Sequence, residues 1–108
     1  MSCEFQSFYF ADDGYVVYCK NCGHYQVAFM CICLTLTKED YAAFRKLVAM
    51  HHNQPDYSFS ECCKNIIIKT PAEGISFILT KNETKRLNEI LEEADTEEKT
   101  LALLHLFR

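Results

Sequence analysis

The chain has 108 residues, 49% of them hydrophobic and 24% charged, with a formal net charge of −4. That length suits a single domain over residues 1–108. The acidic balance, concentrated between Glu89 and Glu98, argues against nucleic-acid binding through a basic surface and against docking on an anionic membrane.

In chain order, Glu4 to Phe10 is rich in aromatic residues and runs into Asp12-Asp13-Gly14, a strong turn signal. Tyr15 to Tyr18 reads as the returning strand of a first hairpin. A second turn follows at Cys19-Lys20-Asn21-Cys22-Gly23, and a new strand begins near His24. Apolar and β-prone residues continue to Leu36. No Gly or Pro marks a turn in that run, so one long strand and two strands bent near Met30 both fit. The nearly apolar stretch Val27 to Leu36 is too short to span a bilayer.

Thr37 opens a helix, with Asp40 at the capping-box spacing. Tyr41, Phe44, Leu47 and Val48 recur at helical spacing on one face. The helix is expected to end near His51-His52-Asn53, where imidazoles complement the C-terminal dipole. A polar loop covers Gln54 to Glu61. Lys64 to Thr70 and Ile75 to Leu79 read as a hairpin around Pro71-Ala72-Glu73-Gly74. Thr80 and Glu83 form a full capping box for a second helix with inner residues Leu87, Ile90 and Leu91. A break near Asp95-Thr96 is expected to lead into a last helix carrying Leu101, Leu104 and His105.

Leu34 to Val48 and Phe77 to Leu91 align without a gap, and each reads as strand, capped turn, helix. The expected fold is therefore α+β: two ββα-like units sharing a mainly antiparallel sheet, helices on one face, plus a C-terminal helix.

Seven cysteines is a high and odd number. The first residues, MSCEFQSFYFADDG, lack a basic region followed by an apolar run, so a cytoplasmic setting with reduced thiols is expected. Cys19-Lys20-Asn21-Cys22-Gly23 has the form of a metal knuckle between two strands. It lets a tight turn aim two thiolates at one ion, and zinc wants four such ligands. A hairpin closing on Asp12-Asp13-Gly14 brings Cys3 level with Cys22, which makes Cys3 the expected third ligand. His24 or Cys62 is the fourth, with Cys63 as a substitute; Cys62 falls on Cys19 at the offset of the internal repeat. Cys31 and Cys33, inside the apolar run, are expected to be core thiols. A redox role for Cys19 and Cys22 is the rival reading. It fits less well because a redox Cys-x-x-Cys opens a helix, whose N-terminus lowers the thiol pKa.

Cys3, the Cys-x-x-Cys-Gly knuckle, the aromatic-apolar strand after it and the Leu-Thr-x-x-Asp/Glu helix starts together resemble a family of short, uncharacterised bacterial proteins. The resemblance covers nearly the whole chain and implies no activity.

No catalytic set is visible: there is no Gly-rich phosphate loop, no G-x-S-x-G and no H-E-x-x-H. Glu92-Glu93 and Glu97-Glu98 read as a solvated helix face. The expected function is a non-enzymatic interaction or adaptor module with structural Zn2+; the alternative is a thiol- or metal-dependent redox sensor or small enzyme. Phe5, Phe8, Tyr9, Phe10, Tyr15 and Tyr18 crowd the N-terminal hairpin beyond what one core-facing side can bury. They mark it as a surface for a protein partner or a second copy of the chain.

Overall fold

The structure, a computed structural model, describes residues 4–53 and 66–106. Four strands, β1 (Phe5–Ala11), β2 (Gly14–Cys19), β3 (His24–Phe29) and β4 (Ile32–Leu36), form an antiparallel sheet in that order. Helix α1 (Lys38–His52) follows, then a two-stranded antiparallel sheet of β5 (Ile66–Lys69) and β6 (Ser76–Leu79), then α2 (Lys81–Leu106). The class is α+β, as the sequence indicates. The strands form two hydrogen-bonded sheets instead of one, yet Val27 and Leu34 of the larger share a continuous core with Ile68, Phe77 and Leu79 of the smaller.

The first hairpin closes at Ala11↔Gly14 and keeps its expected register to Tyr9↔Val16. Phe8 then bulges, and the register shifts by one at Ser7↔Val17. Gly14 is required at the turn because a Cβ there would meet the Ala28 carbonyl oxygen at 2.6 Å and Ile90 Cδ1 at 3.0 Å. The hairpin thus packs tightly on both β3 and α2.

The run after His24 is two strands. Phe29 pairs with Ile32 across a two-residue turn at Met30-Cys31. Met30 adopts φ 57°, the conformation such turns need and usually obtain from Gly or Asn. A neighbouring turn holds it there: the Met30 N–H donates to the Asp13 carbonyl at 3.0 Å. That tertiary bond substitutes for the missing local signal.

Both helices start as their sequences dictate. The Thr37 hydroxyl accepts from the Asp40 N–H at 3.1 Å. At α2 the box is reciprocal, with Glu83 N–H to Thr80 Oγ1 at 3.1 Å and Thr80 N–H to Glu83 Oε1 at 2.8 Å. Tyr41, Phe44 and Val48 of α1 and Leu87, Ile90, Leu91 and Ala94 of α2 are buried. Each fully buried side chain of this size contributes roughly 1.5–3 kcal/mol.

The expected break near Asp95-Thr96 is absent, and α2 is one helix of 26 residues. Asp and Thr weaken helices by competing for backbone partners. Here Asp95 is held by Arg45 at 3.1 Å and Lys99 at 2.9 Å. The Thr96 hydroxyl folds back onto the Glu92 carbonyl at 3.0 Å. No helix among the described residues is long and apolar enough to cross a membrane.

Candidate functional site

The knuckle sits where β2 turns into β3. Cys19 ends β2 and is buried, while Cys22 is exposed. The Cys22 N–H points at the Cys19 sulfur, 3.3 Å away. The Gly23 N–H donates to the Cys19 carbonyl at 2.9 Å, and Gly23 has φ +72°. Any side chain at 23 would strain that positive φ. The turn is thus tied to Cys19 at both its carbonyl and its sulfur.

Cys19 pairs directly with His24 across β2 and β3. Directly opposed residues project on the same face with Cβ atoms about 5 Å apart, so Cys19 and His24 share one face of the sheet. Cys3, Cys62 and Cys63 lie outside the described residues. Among the described residues, no three Cys, His, Asp or Glu side chains group as a metal set. Cys19, Cys22 and His24 thus flank one turn between β2 and β3.

Cys31 and Cys33, expected in the core, are both exposed. The turn at Met30-Cys31 explains this. It puts Cys31 on the loop and sets the β4 alternation so that Leu34 and Leu36 point inward and Cys33 and Thr35 outward. The Tyr15 hydroxyl lies 3.9 Å from the Cys33 sulfur. That hydrogen bond and the charge of the thiolate hold the Tyr15 phenol above its ordinary pKa.

The hairpin aromatics divide between two faces. Phe8, Tyr25 and Phe29 are buried in the core. Tyr9, Tyr15 and Tyr18 are half-buried, and Phe5 and Phe10 are 49% and 74% exposed. Phe10 stacks on Tyr15 with ring centroids 5.6 Å apart. Tyr15 in turn reaches over Ala28 of β3 to Cys33 of β4. One outward row therefore crosses the whole sheet.

Glu98 is not part of a solvated face. It is half-buried and accepts the Tyr25 hydroxyl at 2.6 Å. Burial, followed by the Glu98 carboxylate, raises the Tyr25 pKa well above its ordinary value. Together with Gln6, Phe8, Tyr18 and Lys38 these two residues line an open cleft of about 270 Å³. Nothing local in the sequence announces this pair, because its members are 73 residues apart. Arg86 was likewise missed: it binds Asp13 through Nε at 2.6 Å and Nη2 at 3.0 Å, and donates to the Tyr9 hydroxyl at 2.9 Å. Its guanidinium holds the Asp13 carboxyl below the usual range. His51 and His52 lie in the last turn of α1 and His105 on the exposed end of α2.

No curated protein and no solved structure matches the chain. A model of a family of unknown function, DUF6686, matches residues 1–106, and with nearly its whole length inside that match the chain belongs to this family.

Proposed function

We propose that the chain is a small, non-enzymatic interaction module stapled by one structural zinc ion. The observation that carries this reading is the turn at Cys19 to Gly23. Its Cys22 N–H is directed at the Cys19 sulfur and its Gly23 has positive φ, an arrangement suited to stabilising a thiolate that binds metal. Cys19 and Cys22 would hold the ion, with Cys3 as third ligand and His24 or Cys62 as fourth. Zinc in such a site cross-links chain segments and supplies folding energy.

The redox alternative lacks its usual device. The knuckle runs into β3, whereas a redox Cys-x-x-Cys opens a helix. An odd set of seven cysteines fits a reducing, cytoplasmic setting better than a disulfide framework.

Metal analysis of the purified chain is the test. About one zinc per chain is expected. Cys19→Ser should lose the metal and unfold the first hairpin, because structural zinc supplies on the order of 10 kcal/mol. A metal-free wild type whose melting is unchanged by chelator would overturn the reading.

A further inference from the structure

The core face of the four-stranded sheet is covered by both helices, whereas among the described residues no helix lies on the outer face. Register and alternation put Phe5 and Phe10 of β1, Tyr15 and Val17 of β2, Ala28 of β3 and Cys33 of β4 on it, with the Cys19–His24 pair of the knuckle at its Phe5 end, where Cys19 is buried. Among the described residues, none of the outward strand positions is Asp, Glu, Lys or Arg. In a chain with 24% charged residues this is the wrong pattern for a solvated face. Exposed edge strands in particular usually carry charges that prevent association. The two outermost strands here present Phe5, Phe10, Cys33 and Thr35 instead.

We infer that this face docks on the same face of a second copy, with strand directions reversed. The inference rests on the reading of the chain as an interaction module and names its partner.

Two observations select a second copy. The first is charge. An uncharged sheet face offers no hold to a charged partner surface, and its complement is another uncharged face of the same shape. A second copy supplies one by a two-fold axis. The second is the spacing of the two exposed phenylalanines at opposite ends of β1. A two-fold axis lying between the faces and perpendicular to the strands stacks β1 on its copy in reverse. Phe10 then meets the copy's Phe5, and Phe5 meets the copy's Phe10. The other axis, along the strands, would lay β1 over β4 and leave both phenylalanines without an aromatic partner.

The size is adequate for a reversible contact. Four strands about 4.8 Å apart and roughly six residues long give a face of about 19 by 20 Å. With side-chain relief, two such faces bury on the order of 1,000 Å², the low end for a specific interface. The pair would pack as an aligned sandwich.

Light scattering and sedimentation of the full chain from micromolar to millimolar concentration test this. A concentration-dependent dimer is expected. Phe10→Lys and Phe5→Glu, made separately, should each weaken it about tenfold or more, because each sets an unpaired charge against an aromatic ring of the copy. Circular dichroism and melting should stay as in the wild type, since both side chains are exposed. The double variant should regain much of the affinity, because each introduced carboxylate then faces an introduced ammonium on the other copy. A wild type that stays monomeric throughout overturns the proposal, and so does monomeric chain binding to neutral lipid vesicles. A dimer indifferent to Phe10→Lys, or a double variant no better than the single ones, overturns it too. Zinc content measured on the same samples keeps the two readings apart. A zinc-loaded monomer removes the dimer only, and a zinc-free dimer removes the metal only.

Discussion

The chain contains two versions of one local plan, β3–β4–α1 and β5–β6–α2. Residue for residue, Leu34, Leu36, Tyr41, Phe44 and Val48 of the first fall on Phe77, Leu79, Thr84, Leu87 and Leu91 of the second, and all ten are buried. Thr37 and Thr80 cap both helices. The halves differ in what is added. The first is widened by β1 and β2, which bring the knuckle and the uncharged outer face. The second keeps a bare two-stranded sheet, with Ile67 and Ile78 exposed opposite each other, and a much longer helix. Equal local grammar gave equal local structure, and the Cys19–Cys22 knuckle sits where the added hairpin joins the first repeat. Even a shared slot diverges. Thr84 donates its hydroxyl to the Thr80 carbonyl at 2.9 Å, while the buried Tyr41 hydroxyl has no hydrogen-bond partner among the described residues.

The largest test of the comparison is in the core. Phe44→Ala and Leu87→Ala remove equivalent inward side chains and should each cost about 3–4 kcal/mol. Both should lower one common unfolding transition in urea. Two separate transitions, each moved by only one variant, would show that the halves fold as independent units.

The caps sharpen it at smaller scale. Thr37→Ala loses one hydrogen bond and should cost about 1 kcal/mol. At α2 the double variant Thr80→Ala/Glu83→Ala loses both the hydroxyl bond and the return bond from the residue-80 N–H to the Glu83 carboxylate, so its cost should be about 1–2 kcal/mol. Thermal melts of the two variants, side by side, check the order. Equal losses would show that the second bond of the box adds nothing.

The smallest effect separates the halves by pH. Arg86 of α2 lowers the Asp13 pKa below its ordinary value. The sign follows from linkage. The stabilisation is fully present above the unfolded pKa, roughly 3.9, and is lost as pH falls through the lower folded value. With Asp13 43% exposed, solvent screening keeps the pair to about 0.5–1 kcal/mol. Asp13→Asn should therefore destabilise the protein near neutral pH and match the wild type at about pH 2.5. A difference of the same size at both ends of the range would trace the loss to packing at the turn.

Much of the fold was legible because its signals are local. Asp12-Asp13-Gly14, the Thr37 and Thr80 caps and Pro71 to Gly74 each place an element within a few residues of where it lies. What stayed hidden is held by distant groups. Met30 turns the chain without Gly because Asp13 supplies a hydrogen bond. The α2 helix passes through Asp95-Thr96 with Asp95 held by Arg45 of the other helix. The bulge at Phe8 shifted a register that turn geometry alone fixes only near the turn. In the site, the Cys19–Cys22 knuckle and its neighbour His24 were readable from spacing, since all three flank one turn. The outward setting of Cys33 was not, because it depends on where β3 ends.

The ties between α2 and the four-stranded sheet span most of the chain: Arg86 to Tyr9 crosses 77 positions, and Tyr25 to Glu98 crosses 73. Contacts of such separation are closed late, after the loop entropy between them has been lost. During synthesis, which runs from the N-terminus at about 5–20 residues per second, β1 and β2 are made first and must wait for α2. For that interval the inward faces of Phe8 and Val16 lack their α2 cover. The first hairpin is therefore the part of the sheet whose apolar side waits longest for its cover, which arrives with the last helix.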